Sequence, residues 1–362
     1  MLFETENRNF GLDIVRSIAI SLVLIAHSGI HFLFGINLGF LGVEIFFVLS
    51  GFLIGQIILR EFNEKVSFQG CSTFYINRWL RTFPLYYLVL LIKDLLPESS
   101  FHPAHYAFIQ NNKDLTFFPV SWSLAIEEWF YILIPLVFLI KSKSLRMNMG
   151  FFVFSLMVLN IAGRFFYIHL QHPEFDLGVR KFIPLRFDSL LTGVLFSMIK
   201  VNYSSLYSKI SGLFGLITSM LLFLIGYFIY KKYVLLEAYT EAGTIKDLFQ
   251  TLVFVAFSFS FGFFIIWLEQ NPINQVSKKN LILKTITVLS ILTYAIYLIH
   301  FDIFKFFISS PPFSTDWIKE MLTSSAVILT TAFLMHFILE KPIMDYRKTL
   351  VRKLFPSPVL NS

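Results

Sequence analysis

The chain has 362 residues, 56 % of them hydrophobic and 15 % charged, where an ordinary soluble domain carries about 25 % charge. Forty-five residues are phenylalanine and the mean hydropathy is +0.69, more apolar surface than one water-soluble core of this size hides. Soluble globular, disordered and nucleic-acid-binding classes fit poorly, and the net charge of +7 belongs with Lys and Arg in the loops of a membrane protein.

The first sixteen residues carry acidic groups and lead into a long apolar run without a small-residue cleavage site, so the run reads as a retained membrane helix. A bilayer core needs about 20 apolar residues per helix. Ten segments meet that need: 12–34, 38–59, 75–92, 126–141, 150–170, 183–199, 210–230, 248–268, 281–308 and 318–340. The fourth and sixth are short, and Pro135 inside the fourth favours a kink. The expected fold is all-α and polytopic. One membrane domain covers 1–345, and a short basic tail covers 346–362. Cys71 is the single cysteine, so no intrachain disulfide forms, and no metal site is expected.

Assigning connections alternately to two sides puts the larger share of the 30 Lys and Arg on the side of the N-terminus. Both termini are therefore expected in the cytoplasm. An unusual excess of basic residues, Arg164 to Arg186, falls on the outer side.

An ionisable group within a span costs several kcal/mol unless it is paired or meets water, so each one needs a reason. The first span holds Arg16 and His27. They share a helix face, roughly 16 Å apart at about 1.5 Å per residue. A histidine there suits general-base chemistry near neutral pH. The second span, GVEIFFVLSGFLIG, places Glu44 in the same outer half, positioned to pair with His27 and raise its basicity. In YINRWLRTFPLYY, Arg78 and Arg81 lie three apart and suit a phosphate, although plain cytoplasmic anchoring explains them too. In PVSWSLAIEEWFYILIP, Trp122 and Ser123 stand at the membrane entrance. Of the adjacent Glu127 and Glu128 only one faces a given cavity. Arg186 and Asp188 open the sixth span as a candidate local pair, His300 closes TYAIYLIH, and Glu340-Lys341-Pro342 reads as a helix stop.

These pieces resemble the acyltransferase-3 family of bacterial integral-membrane acyltransferases over residues 9–345. The matching elements are Arg16 with His27, GVEIFFVLSGFLI with Glu44, Arg78/Arg81/Pro84, Trp122 to Tyr131, Arg186 to Asp188, and TYAIYLIH. The resemblance implies O-acetyl transfer from cytoplasmic acetyl-CoA, as co-substrate, to a sugar hydroxyl of a cell-envelope polysaccharide, with lipopolysaccharide O-antigen the leading acceptor. It implies a bacterial inner-membrane location and CoA phosphates held by Arg78 and Arg81 with help from Arg16. His27 would act as base, or as transient acyl acceptor, oriented by Glu44 or Glu127. Arg186, Asp188, Trp122, Ser123, His300 and the outer loops would hold the sugar. The expected partners are the bilayer and the carbohydrate, with a separate soluble protein or a second copy as further candidates. A transporter or flippase of an envelope precursor is the competing class. Midplane charges suit it, whereas the absence of repeat symmetry does not.

Overall fold

The computed structural model describes residues 8–33, 35–61, 68–96, 101–110, 114–144, 148–236, 243–271 and 281–354. Several basic residues used for orientation, among them Lys65, Lys113, Arg146, Lys278 and Lys279, lie outside the described residues. So does the end of the expected tail, 355–362.

The helices are α1 (Phe10–His27), α2 (Leu38–Glu61), α3 (Phe68–Asp94), α4 (Pro103–Tyr106), α5 (Ser121–Ser144), α6 (Met149–Gln171), α7 (Asp188–Asn202), α8 (Ser204–Ile210), α9 (Leu213–Tyr230), α10 (Thr244–Gln270), α11 (Leu281–Phe307), α12 (Thr315–Met335) and α13 (Lys341–Leu354). Two-residue strands, Phe32–Leu33 and Ile36–Asn37, pair antiparallel between α1 and α2. All ten expected spans are helices. Among the described residues, eight helices are long and apolar enough to cross a membrane. The other two fall short for separate reasons. α3 carries Arg78, Arg81, Lys93 and Asp94. α7 has 15 residues, about 22 Å, against a hydrocarbon core of about 30 Å.

Two boundaries differ from expectation. α1 ends at His27, not 34, because Ser28 caps it and Gly29 turns the chain at φ 109°. The apolar run continues through this turn, so hydropathy alone does not see it. Pro135 lies inside α5, and in the preceding turn the Ile132 carbonyl accepts the Tyr75 hydroxyl at 2.7 Å. Glu340-Lys341-Pro342 does not stop the helix. A wide π segment, His336–Glu340, leads from α12 directly into α13, with Pro342 inside the continuous helical run.

The chain divides into two compact units, 1–57 with 148–293, and 58–147 with 294–362. In the first, α10 packs along α9, α7, α1 and α6. Its core is a phenylalanine cluster that includes Phe40, Phe52, Phe254, Phe257 and Phe261. Serine and glycine let helices approach closely. A Cβ on Gly51 of α2 would fall on the Leu190 carbonyl of α7, and one on Gly193 would fall on the Val48 carbonyl. At one end of this unit Asp13 binds Arg8 (2.5 Å), Arg16 (3.3 Å) and the Ser290 hydroxyl (2.7 Å). Nearby helix ends are tied by Lys200 to Glu269 (2.6 Å) and by Tyr207 to Glu269 (2.7 Å). In the second unit, α3 carries an aromatic ladder through Tyr75, Trp79 and Phe83, which stacks on Phe108. α13 lies against α3, with Arg347 donating to the Asn77 carbonyl at 2.9 Å.

The α2–α7 approach gives a direct stability test. Gly51→Ala costs about 1–3 kcal/mol by overpacking and lowers the unfolding midpoint in detergent. Gly212→Ala meets nothing nearer than 3.7 Å and leaves it in place.

Candidate functional site

Two arginines and two carboxylates are sealed inside the first unit. Arg164 and Arg186 are 0 % exposed, Glu44 0 % and Asp188 1 %. Arg164, from α6, donates to Asp188 at 2.8 Å, to the Leu185 carbonyl at 3.1 Å and to the Thr251 carbonyl at 3.2 Å. Arg186 pairs tightly with Glu44 of α2, whose second oxygen accepts Ser189 at 2.7 Å. Ser258 of α10 donates to Ser189 at 2.8 Å. Both guanidinium groups lie over the Phe254 ring, at 4.6 and 4.0 Å. The formal charges cancel, which is what a buried cluster requires.

This cluster corrects one expectation. Glu44 is committed to Arg186 and Ser189, not to His27. Arg186 and Asp188 form the expected local pair, at 3.9 Å, although Asp188 lies closer to Arg164. Both are buried and present almost no surface. Arg186 instead reaches outward by its other nitrogen to the Arg180 carbonyl, at 2.7 Å. That carbonyl ends a π segment, Phe175–Arg180, in the connection between α6 and α7. The cluster therefore positions a connecting segment.

His27 closes α1 eleven residues after Arg16 in the same helix. Its Nδ1 lies 3.0 Å from the Val23 carbonyl. A carbonyl only accepts, so Nδ1 carries the hydrogen, and in the neutral ring the lone pair sits on Nε2. Nε2 is thus the basic atom.

In the second unit Arg78 pairs with Glu127 at 3.5 Å and stacks on Tyr131 at 3.9 Å, and the Tyr131 hydroxyl donates to Glu127 at 2.9 Å. Arg81, a turn later on α3, is exposed. Glu128 is buried and its Oε2 has no hydrogen-bond partner among the described residues. Trp122, Ser123 and His300 are buried as well. The Ser123 and Tyr297 hydroxyls share a 2.5 Å hydrogen bond, and His300 Nδ1 donates to the Tyr297 carbonyl at 2.9 Å. These three are held by protein partners and offer little surface to a ligand.

Arg164, Asp13 and Glu128 take no role from sequence reasoning. The signal for the first two was available: each is an ionisable group inside an apolar helix, which calls for a partner.

Among protein families, one described as an acyltransferase domain matches residues 9–340. A Staphylococcus aureus protein named "Putative O-acetyltransferase" is 29 % identical over 215 residues, covering 52 % of this chain and 34 % of that protein. The peptidoglycan O-acetyltransferase OatA of Listeria monocytogenes is 31 % identical over 159 residues, 37 % of this chain and 25 % of its own length. A Bacillus subtilis protein named "Putative peptidoglycan O-acetyltransferase" is 31 % identical over 176 residues, 40 % and 27 % of the two lengths. The chain spans about a third or less of the length of these curated relatives. No solved structure matches.

The buried cluster yields a prediction that does not depend on those relatives. Asp188→Asn leaves Arg164 charged and unpaired, at a cost of about 3–5 kcal/mol. The yield of monodisperse protein in detergent falls sharply, and replacing Arg164 by Leu in the same chain restores part of it. An unchanged yield in the single variant contradicts the pairing.

Proposed function

This chain belongs to the acyltransferase family matched over residues 9–340, and we propose that it transfers an acetyl group from acetyl-CoA to a hydroxyl of a cell-envelope glycan. The observation that carries the reading is His27, a histidine at the end of an apolar helix whose ring is oriented by Val23 so that Nε2 is basic. In the proposed step Nε2 takes the proton of the sugar hydroxyl as the oxygen attacks the thioester carbonyl. The carbon–sulfur bond breaks, and the imidazolium returns its proton to the departing thiolate. The same lone pair also serves a route through an acyl-histidine, which mass spectrometry of protein quenched with acetyl-CoA alone detects.

For the donor, Arg81 is an exposed basic residue of α3, and α13, which carries Lys341, Arg347 and Lys353, packs beside that helix. This basic region suits the phosphates of a CoA. Arg78 is shared with Glu127 and has less to give. The acceptor is a sugar of lipopolysaccharide O-antigen or of peptidoglycan, and the names of two relatives favour the second. In this reading the protein lies in the bacterial cytoplasmic membrane with both termini in the cytoplasm.

Cells expressing wild type, His27→Ala or neither separate the outcomes. O-acetyl signals in NMR of O-antigen, or acetylated muropeptides in mass spectra, appear with wild type, and the rate falls about 100-fold or more in His27→Ala. Full acetylation by His27→Ala at normal expression rules the mechanism out. In purified protein, Arg81→Ala raises the KM for acetyl-CoA about tenfold.

A further inference from the structure

α13 begins at Lys341, one residue past the stretch that the acyltransferase family matches. Its sequence, KPIMDYRKTLVRKL, holds five basic residues and one acidic one. At about 100° per residue, Ile343, Met344, Leu350 and Val351 share one side of the helix, and Arg347 falls in the middle of them. These five are partly covered, whereas Lys353 is exposed. The covered side is the one against α3, where Arg347 Nη1 donates to the Asn77 carbonyl at 2.9 Å. The acidic residue, Asp345, is exposed and stands two positions before Arg347, a spacing that turns the two side chains apart. A guanidinium in the centre of an apolar docking face needs a reason.

Asn77 fixes where that guanidinium sits. In an α-helix the carbonyl of residue 77 accepts from the amide of residue 81. Arg347 Nη1 shares that carbonyl, so it lies within roughly 6 Å of the Arg81 amide. The carbonyl carries no formal charge, and Arg347 Nε is buried without a hydrogen-bond partner among the described residues. A buried donor left in this way is unfavourable until an acceptor answers it. Arg81 starts from the same turn of α3 and is exposed. Two cations rooted so close together repel unless an anion joins them. Arg78 is placed differently, since its guanidinium pairs with Glu127 and lies over the Tyr131 ring.

We propose that a phosphate of the donor is gripped across two helices, by Arg347 of α13 together with Arg81 of α3, and that Arg347 takes the part that sequence spacing gives to Arg78. This clamp rests on the acetyl-CoA reading, in which α13 lies on the cytoplasmic side with the donor. A guanidinium presents parallel N–H groups that match two oxygens of one phosphate, and two guanidiniums from separate helices enclose it. A phosphate that draws the Arg347 side chain outward gives Nε the acceptor it lacks, by a side-chain movement of the kind common on binding. CoA offers this chemistry twice, in its diphosphate and in the 3′-phosphate of its ribose.

The test uses the full chain in nanodiscs and direct binding of CoA and of dephospho-CoA, which lacks the 3′-phosphate. Arg347→Ala weakens CoA about tenfold, while the amides of α13 exchange as in wild type. Arg347→Lys recovers part of the loss, because it keeps the charge without the paired N–H groups. Tyr346→Ala, at the exposed neighbouring position, binds CoA as wild type does. If dephospho-CoA shows the same tenfold loss in Arg347→Ala, the clamp holds the diphosphate. If it shows none, the clamp holds the 3′-phosphate. A loss that comes with faster exchange throughout α13 and that Arg347→Lys does not relieve shows that Arg347 only docks the helix, and overturns the clamp. A second measurement needs no variant to fold. In wild type, CoA protects Arg347 from phenylglyoxal, read by peptide mass spectrometry, and pantetheine does not. Labelling of Arg347 that CoA leaves unchanged overturns the clamp. If wild type and Arg347→Ala bind CoA equally, the clamp fails and the acetyl-CoA reading stands. If wild type neither binds CoA nor acetylates, that reading fails and the clamp with it.

Discussion

Four charges without access to water set the terms for the first unit. Once Arg164, Arg186, Glu44 and Asp188 are enclosed, each must be answered by another, because an unpaired buried ion costs several kcal/mol. Such a cluster adds little net stability over apolar residues of the same volume. What it supplies is orientation. It links α2, α6, α7 and α10 through named atoms, and through Arg186 it fixes a backbone carbonyl of the π segment. That segment carries Asp176 and Arg180, which pair with each other. The chain of cause thus runs from a bilayer's intolerance of charge to the placement of a connecting segment.

The same unit separates two kinds of work along α1. Near its start, Arg16 shares Asp13 with Arg8, and Ser290 of α11 completes the cluster. At its end, His27 closes the helix with its ring held by the Val23 carbonyl. The second unit holds its own polar system, Arg78 with Glu127 and Tyr131, and an exposed Arg81. Glycines where α2 meets α7 leave room for both backbones to close on the buried ions.

Much of the fold was legible because the bilayer imposes a simple rule on composition. Every expected span is a helix, and even the charged α3 and the short α7 are present. Helix ends were less legible. The Ser28–Gly29 turn lies inside an apolar run, and the π segment before Pro342 depends on packing that no periodicity records. The functional residues were legible as types and not as pairs. Glu44 and His27 stand seventeen residues apart and share an expected membrane half, which made a pairing plausible. The structure gives Glu44 to Arg186, 142 residues away. Long-range ion pairs of this kind are fixed by the fold, and a single sequence carries the demand for a partner without its address.

Hydrogen exchange along the 172–187 connection in Glu44→Gln tests the central claim most directly. The account predicts that Arg186, losing its carboxylate, releases the Arg180 carbonyl, so that amides of 175–187 exchange faster while those of α9 do not change. If exchange in 175–187 stays at the wild-type level in a folded Glu44→Gln protein, the buried cluster does not position the connecting segment.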